Sequence, residues 1–279
     1  MVNNPGKLDK ELAESDKRIE ERMKKVGQKY VVLSNKGGVG KTTLSVQLAT
    51  VLAESGASVG LLDADIHGPS TVKALGLETE RLKDGGNDSI LPVEKGNLKL
   101  MSVGSMLPGK DAPLLWRGPM KSNLIRQFIS NVEWGELDYL IVDSSPGTGD
   151  EPMSVFQMIP DISGAVIVTT PQDMALLDSR KCVSFLRTME IPISGIIENM
   201  SGLTCPSCGH EIQVFGKGGG EKAAEELGVP FLGRLQMDPL IMDSMDQGIN
   251  CIKAHPDSEF VRSLREIVEK IIGKKLEKK

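Results

Sequence analysis

The chemistry-bearing residues of this chain concentrate in a few short runs. The first is KGGVGKTT, residues 36–43, which sets two lysines and two threonines among three glycines. Gly37, Gly38 and Gly40 let the backbone curl until successive N–H groups point inward, and a helix starting just after them adds its positive end; that geometry binds phosphate. Lys41 then reaches the β and γ phosphates of a nucleotide, the Thr42 hydroxyl ligates Mg²⁺, and Thr43 contacts the α phosphate. Val39 fills the loop, and Asn35 stands where the general pattern G-x-x-x-x-G-K-[ST] places glycine. Asn is the non-glycine residue that best tolerates left-handed dihedrals, so the loop survives the exchange.

Carboxylates follow at the ends of two apolar runs. LLDADIHGPS carries Asp63 and Asp65, and the i, i+2 spacing turns both side chains to one face where ligands enter an open α/β sheet. Asp63 suits the Mg²⁺ shell or a hydrogen bond to the loop. DYLIVDSSPGTGDEP ends its apolar run at Asp143, the position that holds Mg²⁺ through water, and Gly147 to Asp150 follow as a segment able to sense a γ phosphate. Asn199 ends ISGIIEN, as a turn residue or as a contact to the nucleotide base.

The third kind of site is GLTCPSCGHEIQVFGKGGG. Two residues between Cys205 and Cys208 bring both sulfurs inward, and Gly209 permits the tight turn. Two thiolates are half of what tetrahedral zinc or a 4Fe-4S cluster needs, and iron and zinc both accept them. His210 is poorly placed to chelate beside Cys208. Cys182 lies in a helical pattern and reads as a buried apolar residue, which weakens a Cys₄ set with Cys251. A two-fold dimer can supply the missing pair by symmetry, a third solution beside these two.

These residues need rigid elements behind them. Short β-branched runs at 29–34, 58–63, 97–104, 138–144, 165–170, 193–199 and 230–235 alternate with helical patterns at 41–55, 113–131, 174–189, 219–227 and 257–272. Near-continuous apolar strands alternating with helices predict an α/β fold: a single doubly wound, mostly parallel sheet covered on both faces. Residues 1–27 read as a charged arm, helical or disordered, in which Leu8, Leu12, Ile19 and Met23 share one narrow sector of a solvated, weakly docked helix. Residues 28–273 form the main domain, and 274–279 a frayed basic tail.

The chain has 279 residues, 39% of them apolar before its 30 glycines are added, which excludes disorder for its bulk. Thirty-three Lys and Arg against 38 Asp and Glu leave a net charge of −5, which argues against nucleic acid or an anionic membrane as partner. No long uninterrupted apolar stretch is present and the N-terminus is polar, so a cytoplasmic, soluble protein is expected. Four cysteines are too few for a disulfide scaffold.

The lysine before the glycines, Lys36, makes KGGVGKTT resemble the deviant Walker A loop of the SIMIBI-class ATPases: MinD and ParA, the arsenite pump ATPase, the nitrogenase iron protein and the Mrp/ApbC family. Across residues 25–265, KGGVGKTT, DADIHGPS, WRGPM, SPGTGDEP, TTPQDMALLD, ENMS and CPSCG together are similar to the Mrp/ApbC family of ATP-binding iron–sulfur cluster carriers. That pattern reads PPGTGD where this chain has Ser145-Pro146. The resemblance implies a P-loop NTPase fold with the small CxxC loop at a dimer interface. It implies that Lys36 reaches the partner subunit's nucleotide, that Lys36, Lys41 and Asp65 are catalytic with Asp65 orienting the attacking water, and that Asn199 contacts adenine. It also implies slow ATP hydrolysis and a homodimer that bridges a labile 4Fe-4S cluster and exchanges it with scaffold proteins and apo recipients. A MinD- or ParA-like positioning ATPase and a zinc-bridged structural dimer are the competing readings; the first gives CPSCG no purpose.

Overall fold

The computed structural model describes residues 5–66, 70–106, 118–172, 175–205 and 207–276. His67 to Pro69, Trp116 and Arg117, Asp173 and Met174, Pro206, the first five residues of the expected 113–131 helix, the last three of the tail and the side chain of Leu8 lie outside that description. The chain opens with α1 (Pro5–Met23), β1 (Val26–Leu33), α2 (Lys41–Glu54), β2 (Val59–Asp63) and α3 (Thr71–Ala74). A hairpin of β3 (Lys83–Gly86) and β4 (Ser89–Leu91) leads to β5 (Val93–Lys95), β6 (Leu98–Ser102), α4 (Gly118–Asn131) and β7 (Leu137–Asp143). Then come α5 (Asp150–Met158), β8 (Gly164–Thr169), α6 (Ala175–Thr188) and β9 (Ile193–Glu198). The small strands β10 (Leu203–Thr204) and β11 (Glu211–Ile212) precede α7 (Gly219–Leu227), β12 (Phe231–Arg234), α8 (Pro239–Asp246), α9 (Cys251–Ala254) and α10 (Glu259–Ile272).

Eight strands form one sheet in the order β12-β9-β8-β1-β7-β2-β6-β5, and every pairing is parallel except β5 on β6. Alternate residues of β1 go to different layers: Tyr30 and Val32 pack with α2 and α10 residues such as Leu44, Leu264 and Ile267, while Val31 and Leu33 pack with Ile125 and Phe128 of α4. Burial on both faces is why these strands read as unbroken apolar runs. Sheet order places β1 at the centre, between β7 and β8, so the loop after β1 opens into the crevice at the carboxyl ends of the strands.

Each expected parallel strand has a counterpart within three residues at its ends. Strand β1 starts earlier than expected because Val26 pairs with Leu137, and the Lys29 ammonium, 4% exposed, is held by the Met23 and Val26 carbonyls. The hairpin and β5 escaped the sequence pattern because KDGG offers no β-branched residue and both segments have only three or four residues. Helix α5 begins at Asp150, so the glycine segment after Asp143 closes at Gly149. Helix α1 buries Ile19 and Met23 and leaves Leu12 exposed; Arg126 of α4 pairs with Asp16, and Arg22 donates to the Val132 carbonyl.

Candidate functional site

The loop between β1 and α2 has the backbone its glycines predict. Gly38 and Gly40 have φ of +78° and +86°, and a side chain on Gly37 or Gly38 would meet nothing within 4 Å, so the loop borders open space at these two glycines. Helix α2 begins at Lys41 directly behind it, with its first N–H groups free to meet an anion.

Three strand ends bring the charged groups together. Lys41 Nζ lies 2.8 Å from Asp143 Oδ1 and 3.5 Å from Asp65 Oδ2. The Thr42 hydroxyl donates to Asp143 Oδ2 at 2.6 Å, and the Ser45 hydroxyl, one helical turn beyond Lys41, donates to Oδ1 at 2.8 Å. Asp143 is fully buried and ends β7; Asp63 ends β2, and the parallel register pairs these two residues directly. Asp63 accepts from Thr71 and Ser102 at 2.6 and 2.9 Å and from the Asp65 backbone N–H at 3.1 Å. Burial, and next the neighbouring Asp143 carboxylate, push the Asp63 carboxyl up to about 7. One ammonium thus faces three carboxylates, a balance that a second cation would improve.

The remaining predicted residues fall around this centre. Gly147 has φ +95° and donates its N–H to the Ser34 carbonyl at 2.7 Å, which lays the glycine segment after β7 against the start of the phosphate loop. Val39 is buried, and its carbonyl accepts from Asn199 Nδ2 at 2.9 Å, so Asn199 braces the loop from the end of β9. Thr43 is half-buried in the first turn of α2. Lys36 is more exposed, and its ammonium sits 2.7 Å from Asp178 Oδ2 on α6, while Asn35 Nδ2 donates to the other oxygen of the same carboxylate at 2.7 Å. Sequence reasoning assigned no role to Ser45, Thr71, Ser102 or Asp178. Ser45 carried a signal in its i+4 spacing from Lys41 on a helix, and Asp178 in ending the TTPQDMALLD run.

Beyond β9 the cysteines occupy a knuckle. Strands β10 and β11 pair Leu203 with Ile212 and Thr204 with Glu211; the Cys205 N–H donates to the His210 carbonyl and the Gly209 N–H to the Cys205 carbonyl, both at 2.9 Å. Gly209 takes φ +73°, the conformation the tight turn requires. Cys205 is half-buried and Cys208 exposed, whereas Cys182 and Cys251 are buried. Backbone N–H groups of Ser207 and Cys208, and then the Cys208 thiol, lower the pKa of Cys205. Burial pushes Cys182 to about 12 and Cys251 to about 11, and Cys251 donates to Gln47 Oε1, so these two do not join the exposed pair. Among the described residues, no three His, Cys, Asp or Glu side chains are arranged to hold a metal ion by themselves. Among the described residues, the knuckle presents two thiols and no third ligand.

The model of the NUBPL iron-transfer P-loop NTPases, within the ParA group, matches residues 25–272. The chain belongs to this family. Among curated relatives of this NUBPL-type NTPase, the iron-sulfur cluster carrier protein of Methanocaldococcus jannaschii is 49% identical over 95% of this chain and 92% of its own length. The protein of the same name from Pyrococcus abyssi is 44% identical over 94% and 91%. In solved structures, a nucleotide-binding protein from Archaeoglobus fulgidus in complex with ADP is similar at a TM-score of 0.73 and 35% identity, covering 84% of this chain and 91% of that one. The septum site-determining protein MinD of Pyrococcus horikoshii, complexed with Mg-ADP, shares the fold at a TM-score of 0.61 and 22% identity, over 88% and 96%. The mostly parallel sheet expected from the sequence is therefore the P-loop NTPase fold, and the family places this chain among nucleotide-binding NTPases. No helix among the described residues is long and apolar enough to cross a membrane.

Proposed function

We propose that this protein is an ATP-hydrolysing iron–sulfur cluster carrier that works as a homodimer, with a labile 4Fe-4S cluster as its cargo. The observation that carries this reading is the pairing, in one chain, of a phosphate loop backed by Asp143 with a solvent-facing two-thiol knuckle just beyond β9. Two chains contribute Cys205 and Cys208 each, which gives four thiolates at a two-fold axis. A lowered Cys205 pKa favours the thiolate that ligates iron, and exposure of Cys208 lets a recipient's ligands reach the cargo.

The nucleotide half follows from the site's own groups. The loop's glycine backbone takes the phosphates, and Lys41 turns from Asp143 toward them. Thr42 and Asp143, already 2.6 Å apart, are the oxygen donors that would hold Mg²⁺; that ion supplies charge neutralisation on the phosphates when bound. Asp65, beside Lys41, orients the attacking water, and Asp63 fixes the backbone of Asp65 through their hydrogen bond. Lys36 reaches the partner subunit's nucleotide once it leaves Asp178. Asn199 borders the adenine.

Anaerobic reconstitution with iron and sulfide, read by visible absorption and by transfer to an apo-protein, tests the carrier half. Cys205→Ala and Cys208→Ala remove the cluster if the reading is right. A parent protein that takes up no cluster and retains zinc instead identifies a structural zinc-bridged dimer and refutes it. Lys41→Ala abolishes ATP binding; Asp65→Ala preserves binding and stops turnover, and continued hydrolysis in that variant removes Asp65 from its role.

A further inference from the structure

Glu198, the last residue of β9, is a carboxylate with no exposed surface. A buried charge of that kind requires dedicated partners, and those partners come from both ends of the cysteine loop. Oε1 accepts from the Ser201 hydroxyl at 2.6 Å and from the Gly218 N–H at 3.0 Å, and Oε2 accepts from the Gly220 N–H at 2.6 Å. Arg234 Nε forms an ion pair with Oε1 at 3.3 Å. Burial alone would raise the Glu198 pKa, but Ser201, the two backbone N–H groups and Arg234 outweigh it and hold the group ionised below its ordinary range.

Ser201 immediately precedes the loop of residues 202–217, and Gly218 to Gly220 immediately follow it. The run GKGGG, residues 216–220, looks in sequence like a second phosphate loop before a helix. Its anion is internal: α7 has no side-chain cap of its own, and Glu198 meets its positive end. The glycines are needed for that approach. A Cβ on Gly220 would lie 2.9 Å from Glu198 Cβ, and one on Gly219 would lie 2.2 Å from the Pro171 carbonyl oxygen.

The neighbouring residue faces the other way, as successive strand residues do. Asn199 donates to the Val39 carbonyl in the phosphate loop, and a Cβ on Gly40 would meet Asn199 Nδ2 at 2.2 Å. Between this brace and the cysteine loop lies Met200, in the left-handed region at φ +59°.

We propose that Glu198 is a positioning residue: it pins both ends of the cysteine loop and, through Asn199, makes the reactivity of Cys205 and Cys208 depend on what occupies the phosphate loop. The proposal deepens the carrier reading and relies on it only for the biological use of the coupling, because its test needs no iron. Metal-free reduced protein is labelled with iodoacetamide, with and without MgATP, and the rate at each cysteine is read by mass spectrometry. In the parent, MgATP changes the labelling rate of Cys205 and Cys208 by about threefold or more; Glu198→Gln labels faster without nucleotide and responds to MgATP by less than about 1.5-fold. Cys182 and Cys251, both buried, stay unlabelled and report that the fold is intact. If Glu198→Gln exposes them, Ser201→Ala, which removes one of the donors, carries the test, with a weakened MgATP response expected. A parent that does not respond to MgATP, or folded variants that respond as the parent does, overturns the proposal. A parent that responds as expected yet takes up no cluster overturns the carrier reading and leaves the role of Glu198 standing.

Discussion

Asp63→Asn is the substitution whose effect the structure specifies most closely. The register between β2 and β7 sets Asp63 against Asp143, with Lys41 as the cation they share, and burial with this repulsion raises the Asp63 carboxyl to about 7. Its folded-state pKa stands above its unfolded value, so over the range between them the native chain binds the extra proton. Stability then falls as pH rises toward about 7 and changes no further above it. From about pH 5.5 to about pH 8.5, the lower limit lying roughly 1.5 units below that pKa, the loss amounts to about 2 kcal/mol at about 1.4 kcal/mol per unit. Asparagine keeps an acceptor for Thr71 and Ser102 and cannot ionise. Urea unfolding of both nucleotide-free proteins across that range should show the parent losing about 2 kcal/mol relative to Asp63→Asn, with every other titrating group common to both. If the two proteins change in parallel, Asp63 is ionised in the folded state throughout and the repulsion does not govern its protonation.

Two further substitutions probe the loop and the N-terminal helix. Gly40→Ala places a methyl 2.2 Å from Asn199 Nδ2 at φ +86°, so it should lower stability by about 1–3 kcal/mol and weaken ATP binding; calorimetric titration with unchanged affinity would show that the loop tolerates the shift. Met23→Ala empties a site that is 1% exposed at the end of α1 and should cost about 2–5 kcal/mol in urea unfolding, whereas a change under about 0.5 kcal/mol would mean that α1 contributes nothing to the core.

Much of the candidate site around the phosphate loop was legible in the sequence because its parts are local. The glycines and Lys41 between β1 and α2 shape their loop through nearby backbone, and an apolar run ending in aspartate at Asp143 announces a buried strand with its carboxylate at the strand's carboxyl end. The cysteine knuckle is local in the same sense: two intervening residues and Gly209 close the turn without help from distant parts of the chain. The N-terminal helix was legible as amphipathic, but not its burial, because that depends on α4 presenting a complementary apolar face.

What the sequence could not express is which strand ends become neighbours. That Asp63 lies beside Asp143 follows from β7 standing between β1 and β2, an order that no residue near either aspartate encodes. Likewise, Lys36 and Asn35 share Asp178 only because the first turn of α6 lies beside the phosphate loop. Glu198 looked like one more residue of an apolar strand end, and its role emerged only when Ser201, Gly218 and Gly220 converged on it. Residue types and short spacings determine which groups can bind phosphate or metal. Long-range packing, which pairs groups distant along the chain within a water-excluded sheet edge, decides the charge each of them carries and what it holds in place.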